Sequence, residues 1–378
     1  MKRVVILCVW LFSVVAGHAQ LSLDECRRLA RENYPEIRQY DLVHQTEQYN
    51  LSNAARAWIP QIAFSAQATW QTDAPNFPKE LTGMLAQQGL EIPGLRKDQY
   101  KVALELNQTI WDGGKSVADK RIARAEAAEQ KTMTDVDLYE LEGRVDDLYF
   151  GILLLDERIA QTNLTLNLLR SNLEKVRALQ RNGVAMQSDA DVLEAELLSV
   201  GQQLIQFESS CDSYRRMLGI FIGQKVGDRK LQRPSAVQPL SGESARPELA
   251  MFAAKIDRLT AQEKMVKSSS MPRLGFFAQG YYGYPGLDYM QSMMNSDWSW
   301  NAMLGVKLSW NFGAYYTQKN NLNKLRISRQ QVEVQRDVFL FNMNLQAAQE
   351  NGDIARLRKA IADDDRIVAL RRSVREAA

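Results

Sequence analysis

His44 is the one histidine left in this 378-residue chain once the first nineteen residues are set aside, and a lone imidazole is a poor basis for a His-ligated metal centre or a Ser/His/Asp triad. Cys26 and Cys211 stand far apart, each inside a helical pattern, so they read as small buried apolar side chains rather than as a disulfide framework. The run Asp363-Asp364-Asp365 lies in a helical, arginine-flanked stretch and reads as a solvated face; no Gly-rich phosphate loop follows a strand. No catalytic, cofactor-binding or metal-ligating set is therefore expected. What these residues offer is contact chemistry: a carboxylate, Asp189, just past an Asn-Gly turn, and tryptophans and tyrosines at the ends of alternating apolar segments.

The start of the chain places all of this outside the cytoplasm. Lys2 and Arg3 precede an apolar core from Val4 to Val15, and Gly17-His18-Ala19 offers a small-residue cleavage site before Gln20, so residues 1–19 read as a secretory signal peptide. Cys8 lacks the small preceding residue that lipid attachment requires. Formal charge is +2, and without Lys2 and Arg3 the chain carries 45 basic and 45 acidic residues, a balance that recruits no nucleic acid.

Four segments alternate with period two. Ile62, Phe64, Ala66, Ala68 and Trp70 interleave with Gln61, Ser65, Gln67 and Thr69; Val102, Leu104, Leu106 and Ile110 interleave with Lys101, Glu105, Asn107 and Thr109. Trp298 to Trp310 does the same, whereas in Leu274 to Tyr284 two aromatics, Phe277 and Tyr281, fall on the polar parity. Strands of about 11 to 15 residues are long enough to cross a bilayer at a tilt. The aromatics Trp58, Trp70, Tyr100, Trp111, Tyr282, Tyr284, Trp298 and Trp310 gather at their ends, where a membrane-interface girdle would sit. A soluble sandwich with an aromatic core is the alternative that strands alone leave open.

The helices are longer still. From Leu138 to Val176, twelve positions recur at alternating steps of three and four, and eleven are apolar (Thr162 is the exception), which is the seam of a coiled coil. The helical run from Gly114 to Arg181 would span about 100 Å at 1.5 Å per residue. Asn182-Gly183 breaks it, Ser188 or Asp189 can cap the next helix, and Leu193, Leu197, Val200, Leu204, Phe207, Cys211, Tyr214 and Leu218 form a returning seam.

The chain also repeats itself. Tyr34-Pro35-Glu36-Ile37 answers Arg246-Pro247-Glu248-Leu249 and Pro60 answers Pro272, both at an offset of 212; Trp111-Asp112-Gly113-Gly114 answers Trp310-Asn311-Phe312-Gly313 at 199. This divides it into a signal peptide (1–19), a first repeat (20–218, with a β-hairpin over 60–111 and a coiled-coil hairpin over 113–218 turning near 182–188), an equatorial linker (219–246) and a second repeat (247–378, with a β-hairpin over 272–312 and a long helix over 314–378). Shifting the first turn by 199 puts its counterpart near position 381, so a second returning helix is expected beyond this sequence and the apolar seam of 320–378 is expected to be uncovered.

The opening Leu21-Ser22-Leu23-Asp24-Glu25-Cys26, Asn33-Tyr34-Pro35-Glu36, Pro60, Trp111-Asp112-Gly113-Gly114, Asn182-Gly183-Val184 before Asp191-Val192-Leu193, and Leu218-Gly219, in this order, resemble the TolC-like outer membrane efflux protein family, C-terminally incomplete. The resemblance implies an α+β membrane protein in which antiparallel coiled-coil hairpins form an α-barrel and four β-strands per protomer join a twelve-stranded trimeric outer-membrane β-barrel. It implies a homotrimer in outer-membrane lipid with a periplasmic helical extension, working with a periplasmic adaptor (membrane fusion protein) and an inner-membrane pump in efflux or type I secretion. On that likeness Asn182, Gly183, Val184 and Ala185 match the adaptor-contacting tip and Asp189 is a candidate for the periplasmic constriction. A non-transporting periplasmic scaffold, a truncated duct protomer without function and an enzyme are the rival readings.

Overall fold

A computed structural model describes residues 20–89, 92–235 and 246–377. The expected signal peptide and the middle of the expected linker lie outside these residues. The chain forms two compact units, one from the residues up to Val43 with Gln130–Glu248, the other from His44–Glu129 with Leu249 onward. Among the described residues there are eight helices and four strands.

In the first unit, helix α1 (Leu23–Asn33) begins where the Ser22 hydroxyl accepts the Glu25 backbone N–H at 3.2 Å. A 3-10 turn (Pro35–Arg38) leads into helix α2 (Gln39–Arg56), which passes into the second unit. Helix α4 (Lys115–Arg181), which starts in the second unit and belongs to the first from Gln130 on, and helix α5 (Gln187–Ile222) form the expected hairpin. All twelve seam positions from Leu138 to Val176 are buried or half-buried, as alternating steps of three and four require. Near the base of the hairpin, Leu138, Leu141, Val145, Tyr149 and Ile152 of α4 pack with Cys26 and Ala30 of α1 and with Cys211, Leu218 and Ile222 of α5. Leu21 pairs in parallel with Leu231, and the buried Tyr149 hydroxyl meets the carbonyls of Leu21 (2.7 Å) and Gln232, so one phenol ties the start of the unit to its return segment. Burial pushes the Tyr149 hydroxyl pKa up to about 12. Burial, with Glu25 beside it, also pushes the Cys26 thiol up to about 12. The Asn33 side chain donates to the carbonyls of Ile220 and Phe221 at 3.1 Å each, which serves the open end of α5 and accounts for the polar residue before Tyr34-Pro35.

The returning seam departs from expectation at one step. Tyr214 is exposed, with its ring lying over Gly151, and the residue turned inward is Arg215, whose side chain is 15% exposed. Its guanidinium holds both oxygens of Asp156 (3.0 and 2.8 Å) and the carbonyls of Gly227 (2.8 Å) and Arg229 (3.0 Å), so a charge replaces an apolar knob because four acceptors converge there. Arg215→Ala is expected to cost about 2–3 kcal/mol, below the range for a fully buried pair because Asp156 is partly hydrated, and to lower the melting temperature in a circular-dichroism scan.

The second unit carries strands β1 (Gln61–Trp70), β2 (Asp98–Trp111), β3 (Arg273–Tyr284) and β4 (Ser299–Ser309) in one antiparallel sheet of order β1-β2-β3-β4. Short helices α3 (Lys79–Gln87) and α7 (Tyr289–Met294) sit in the two hairpin connections. Helix α6 (Pro247–Ser268) precedes β3, and helix α8 (Gly313–Ala377) follows β4. No residue of α8 is buried among those described; Phe339 meets Phe252 of α6 at 5.9 Å between ring centroids, while Val334, Val338, Phe341 and Leu345, spaced four, three and four apart, are exposed.

The Trp111-Asp112-Gly113-Gly114 motif is where β2 becomes α4. Asp112 accepts the Gly114 N–H at 2.9 Å, the Ser116 N–H at 2.7 Å and the Ser116 hydroxyl. Burial pulls its pKa upward, but the bonds from Ser116 and Gly114 outweigh burial and hold the carboxyl below its usual value. The sign follows: this cap is at full strength above the ordinary carboxylate range and is lost as pH falls through the lowered value. At the other strand-to-helix passage Asn311 accepts the Gly313 N–H at 3.1 Å.

Candidate functional site

Register sorts the sheet into two faces. Ile62, Phe64 and Ala66 lie opposite Leu106, Leu104 and Val102; these lie opposite Ala278, Gly280 and Tyr282, which lie opposite Leu304, Ala302 and Trp300. The result is one continuous apolar face whose large side chains are open: Leu304 is 75% exposed, and Phe64, Leu104, Val306 and Leu308 are exposed too. A bulge between Thr109 and Trp111 puts Trp111, rather than the expected Ile110, opposite Leu274 on this face. The opposite face is polar, with Gln61, Ser65 and Gln67 on β1, Lys101, Glu105 and Asn107 on β2, Gln279 on β3, and Asn301 and Lys307 on β4.

Phe277 and Tyr281 share that polar face, and the structure gives the reason they break the alternation. Phe277 lies over Gly305, which has no side chain to fill that place. Tyr281 is buried, and the Lys101 ammonium sits 4.5 Å from its ring centroid. Lys101 also donates to the Gln279 amide oxygen at 3.0 Å, and the Gln279 amide nitrogen donates to Glu105. A recess of about 600 Å³ opens on this side of the sheet, lined by Glu105, Phe277, Gln279, Arg273, Lys307 and the Lys115–Asp119 pair (2.8 Å).

The expected aromatics fall into two groups. Trp70, Tyr100, Tyr282 and Trp298 lie at the loop end, with Tyr100 stacked on Trp298 at 5.8 Å and Tyr282 at 5.4 Å from Trp298. Trp58, Trp111 and Trp310 lie at the helix end, Trp310 donating its indole N–H to the Ser270 carbonyl at 3.0 Å. Tyr284 departs from expectation: it is 2% exposed, and its hydroxyl accepts the Arg96 N–H (2.9 Å) and donates to the Ser292 carbonyl (3.1 Å), so it anchors the two loops. Trp300, which the strand-end pattern left out, is 82% exposed and 5.0 Å from Tyr282. From Trp300 to Trp310 is ten residues, about 34 Å of strand, or about 25 Å across at a 40° tilt. That matches the height of the apolar band on an outer-membrane barrel.

The hairpin turn of the first unit is the other candidate surface. Asn182 donates its N–H to the carbonyls of Ala178 (3.3 Å) and Leu179 (3.1 Å), Gly183 to Gln180 (3.0 Å), and Val184 back to Leu179 (2.9 Å). Gly183 closes the helix with φ +77°, a conformation that favours glycine. Val184 is thereby left 73% exposed at the turn, and Ala185 is half-buried. Asp189 accepts the Met186 N–H at 2.9 Å from the third position of α5, so this carboxylate, and not Ser188, caps the helix, with its free edge exposed. Arg177 and Glu194 clamp the two helices just behind the turn at 2.7 Å.

No helix among the described residues is long and apolar enough to cross a membrane. The same architecture is found in solved outer-membrane channels. VceC of Vibrio cholerae superposes with a TM-score of 0.61 at 14% identity, covering 85% of this chain and 75% of that one. CmeC of Campylobacter jejuni gives 0.57 at 15% identity over 85% and 68% of the two chains, and MtrE of Neisseria gonorrhoeae 0.53 at 14% over 82% and 68%. No curated protein matches in sequence. At such identities the likeness establishes the fold; kinship comes from the sequence profile of outer membrane efflux proteins, which matches residues 27–223. That stretch is more than half of the chain and runs from α1 through the hairpin to the end of α5, so the chain belongs to the outer membrane efflux protein family, a family of outer-membrane channels.

Proposed function

We propose that three copies of this chain pool their strands into one closed twelve-stranded barrel and act as the passive exit duct of a tripartite efflux or type I secretion system. The observation that carries this reading is a four-stranded sheet with an exposed apolar face and two open edges, β1 and β4. In lipid the backbone groups along those edges need partners, and closure with other copies supplies them. On this reading residues 20–218 and 247–378 are two copies of one unit, each giving two strands and helices to the wall. An inner-membrane pump and a periplasmic adaptor deliver the solute; the duct itself does no chemistry. The turn at Asn182, Gly183, Val184 and Ala185 is the adaptor contact, favoured by the exposed Val184, and Asp189 adds carboxylates at the periplasmic mouth.

The test is to purify the chain from outer membranes. A trimer that runs compact on gels unless boiled, and that conducts in planar bilayers, is the expected result. A soluble periplasmic monomer would favour a scaffold and end the duct reading. For the tip, Val184→Asp is expected to reduce crosslinking to the partner adaptor by tenfold or more while leaving the heat-modifiable trimer intact.

A further inference from the structure

The polar face of the sheet carries more positive than negative charge, and the surplus is concentrated at one end. Cross-strand register orders its rungs from the helix end: Arg273 with Ser309; Thr109 with Gly275 and Lys307; Asn107 with Phe277 and Gly305; Glu105 with Gln279 and Met303; Ala103 with Tyr281 and Asn301; Lys101 with Gly283 and Ser299. The charged side chains on this ladder are Lys101, Glu105, Arg273 and Lys307, three cations against one anion. Lys101 and Glu105 offset each other, because both bind the same Gln279 amide. Arg273 and Lys307 lie on the first two rungs, diagonal neighbours on adjacent strands, a placement that holds side chains about 7–8 Å apart.

The acids that line the same recess each have a partner of their own. The recess that holds Arg273 and Lys307 is also lined by Asp112, Asp119 and Glu105. Asp112 is committed to the start of α4, Asp119 is paired with Lys115, and Glu105 is joined to Gln279. Neither the Arg273 nor the Lys307 side chain has a hydrogen bond or ion pair among the described residues, and both residues are exposed.

We propose that this pair, to which no carboxylate is ion-paired, makes the strand-lined passage favour anions, in series with the carboxylates at the periplasmic mouth, so that removing it shifts the duct's ion preference towards cations. This rests on the barrel reading above: the apolar face must then meet lipid, and the face bearing Arg273 and Lys307 must line the water-filled interior. Rings of arginine and lysine lining a pore select for anions, because low-dielectric walls focus the field of fixed charges onto the aqueous path. Three copies would set six such cations on two adjacent rungs near the helix end of the barrel. The Gln, Asn, Ser and Thr side chains on the face hydrate a solute without choosing its sign. Phe277 on the third rung and Met303 on the fourth line the same recess as the cations, so an organic anion with an apolar body meets both a charge and a greasy ledge there.

The experiment is the reversal potential of the purified full chain in planar bilayers under a tenfold KCl gradient, with the dilute side at low ionic strength where screening is weakest. With Asp189→Asn as the background, which removes the carboxylates at the periplasmic mouth, the channel is expected to pass chloride several-fold better than potassium. The double substitution Arg273→Gln/Lys307→Gln is expected to bring that ratio to unity or below, each single substitution to shift it part of the way, and Glu105→Gln to raise it. Met303→Gln, a neutral change on the same face, is expected to leave it unmoved. Gel mobility with and without boiling checks that each variant assembles, and the single substitutions serve if the double one does not. A conducting channel whose ion preference is the same with and without Arg273 and Lys307 overturns the proposal and leaves the barrel standing. No conductance from wild type at all removes the barrel reading itself.

Discussion

Leu304→Arg is expected to empty the outer-membrane fraction, whereas Met303→Arg, one residue away, is expected to leave it full. Leu304 is the central residue of β4, opposite Ala278 on the apolar face, and its side chain is open to whatever surrounds the protein. If that surrounding is lipid, an arginine at mid-depth costs about 2–4 kcal/mol, and in a three-fold barrel the cost is incurred three times in one assembly. Met303 points to the polar face beside Gln279 and Glu105, where a guanidinium meets water and a carboxylate. The measurement is the share of each variant in isolated outer membranes and in the heat-sensitive gel band. Equal behaviour of the two variants would mean that the faces have been assigned to the wrong solvents.

Gly113→Val is the substitution expected to damage the second unit most from a single backbone position. Gly113 has φ +72°, and a Cβ there would stand 2.7 Å from the Met271 Cβ, 3.2 Å from the Pro272 carbonyl oxygen and 3.3 Å from that of Ser268. The left-handed backbone costs a side chain about 1–2 kcal/mol, and forcing it against a neighbouring Cβ and two carbonyls adds about 1–3 kcal/mol. Strand β3 begins at Arg273, so any relief of the clash moves the start of that strand and with it the register to β2. Gly114→Ala is the control: φ is +85° there too, but nothing lies within 4 Å, so only the backbone cost of about 1–2 kcal/mol applies. A melting temperature that falls for the valine variant and little for the alanine variant is the expected pair of results.

The helices and strands were legible because each writes a short period into the chain. Steps of three and four named twelve positions of α4 that all turn inward, and alternation named the faces of β1 and β4. Where the period is broken, the reason lay in a partner that no local pattern carries. Arg215 turns inward because two carbonyls from the segment after α5 and the carboxylate of Asp156 meet it. Trp111 takes the place expected for Ile110 because a bulge shifts the count by one, and bulges depend on the facing strand. Tyr284 is hidden because its hydroxyl ties two loops together, one of them nearly two hundred residues away. The charged ladder on the polar face was readable one residue at a time but not as a ladder, since only the pairing of β2 with β3 and β4 brings Lys101, Glu105, Arg273 and Lys307 onto one face in a fixed order. The turn was the reverse case: Asn-Gly announced it, and Asp189 proved to hold it from the third position of the next helix.

Both cysteines of the folded units are shut away, Cys26 against Ala30 and the α4 seam, and Cys211 between Asp156 and Arg215 with its thiol pKa raised by burial. At neutral pH neither presents a thiolate to solvent, so among the described residues the native background is silent to maleimides and methanethiosulfonates. A single cysteine introduced at the exposed turn or on a chosen rung of the sheet would then report alone, and spin labels, fluorophores or bifunctional linkers could map this chain's movements without first stripping out its own sulfur.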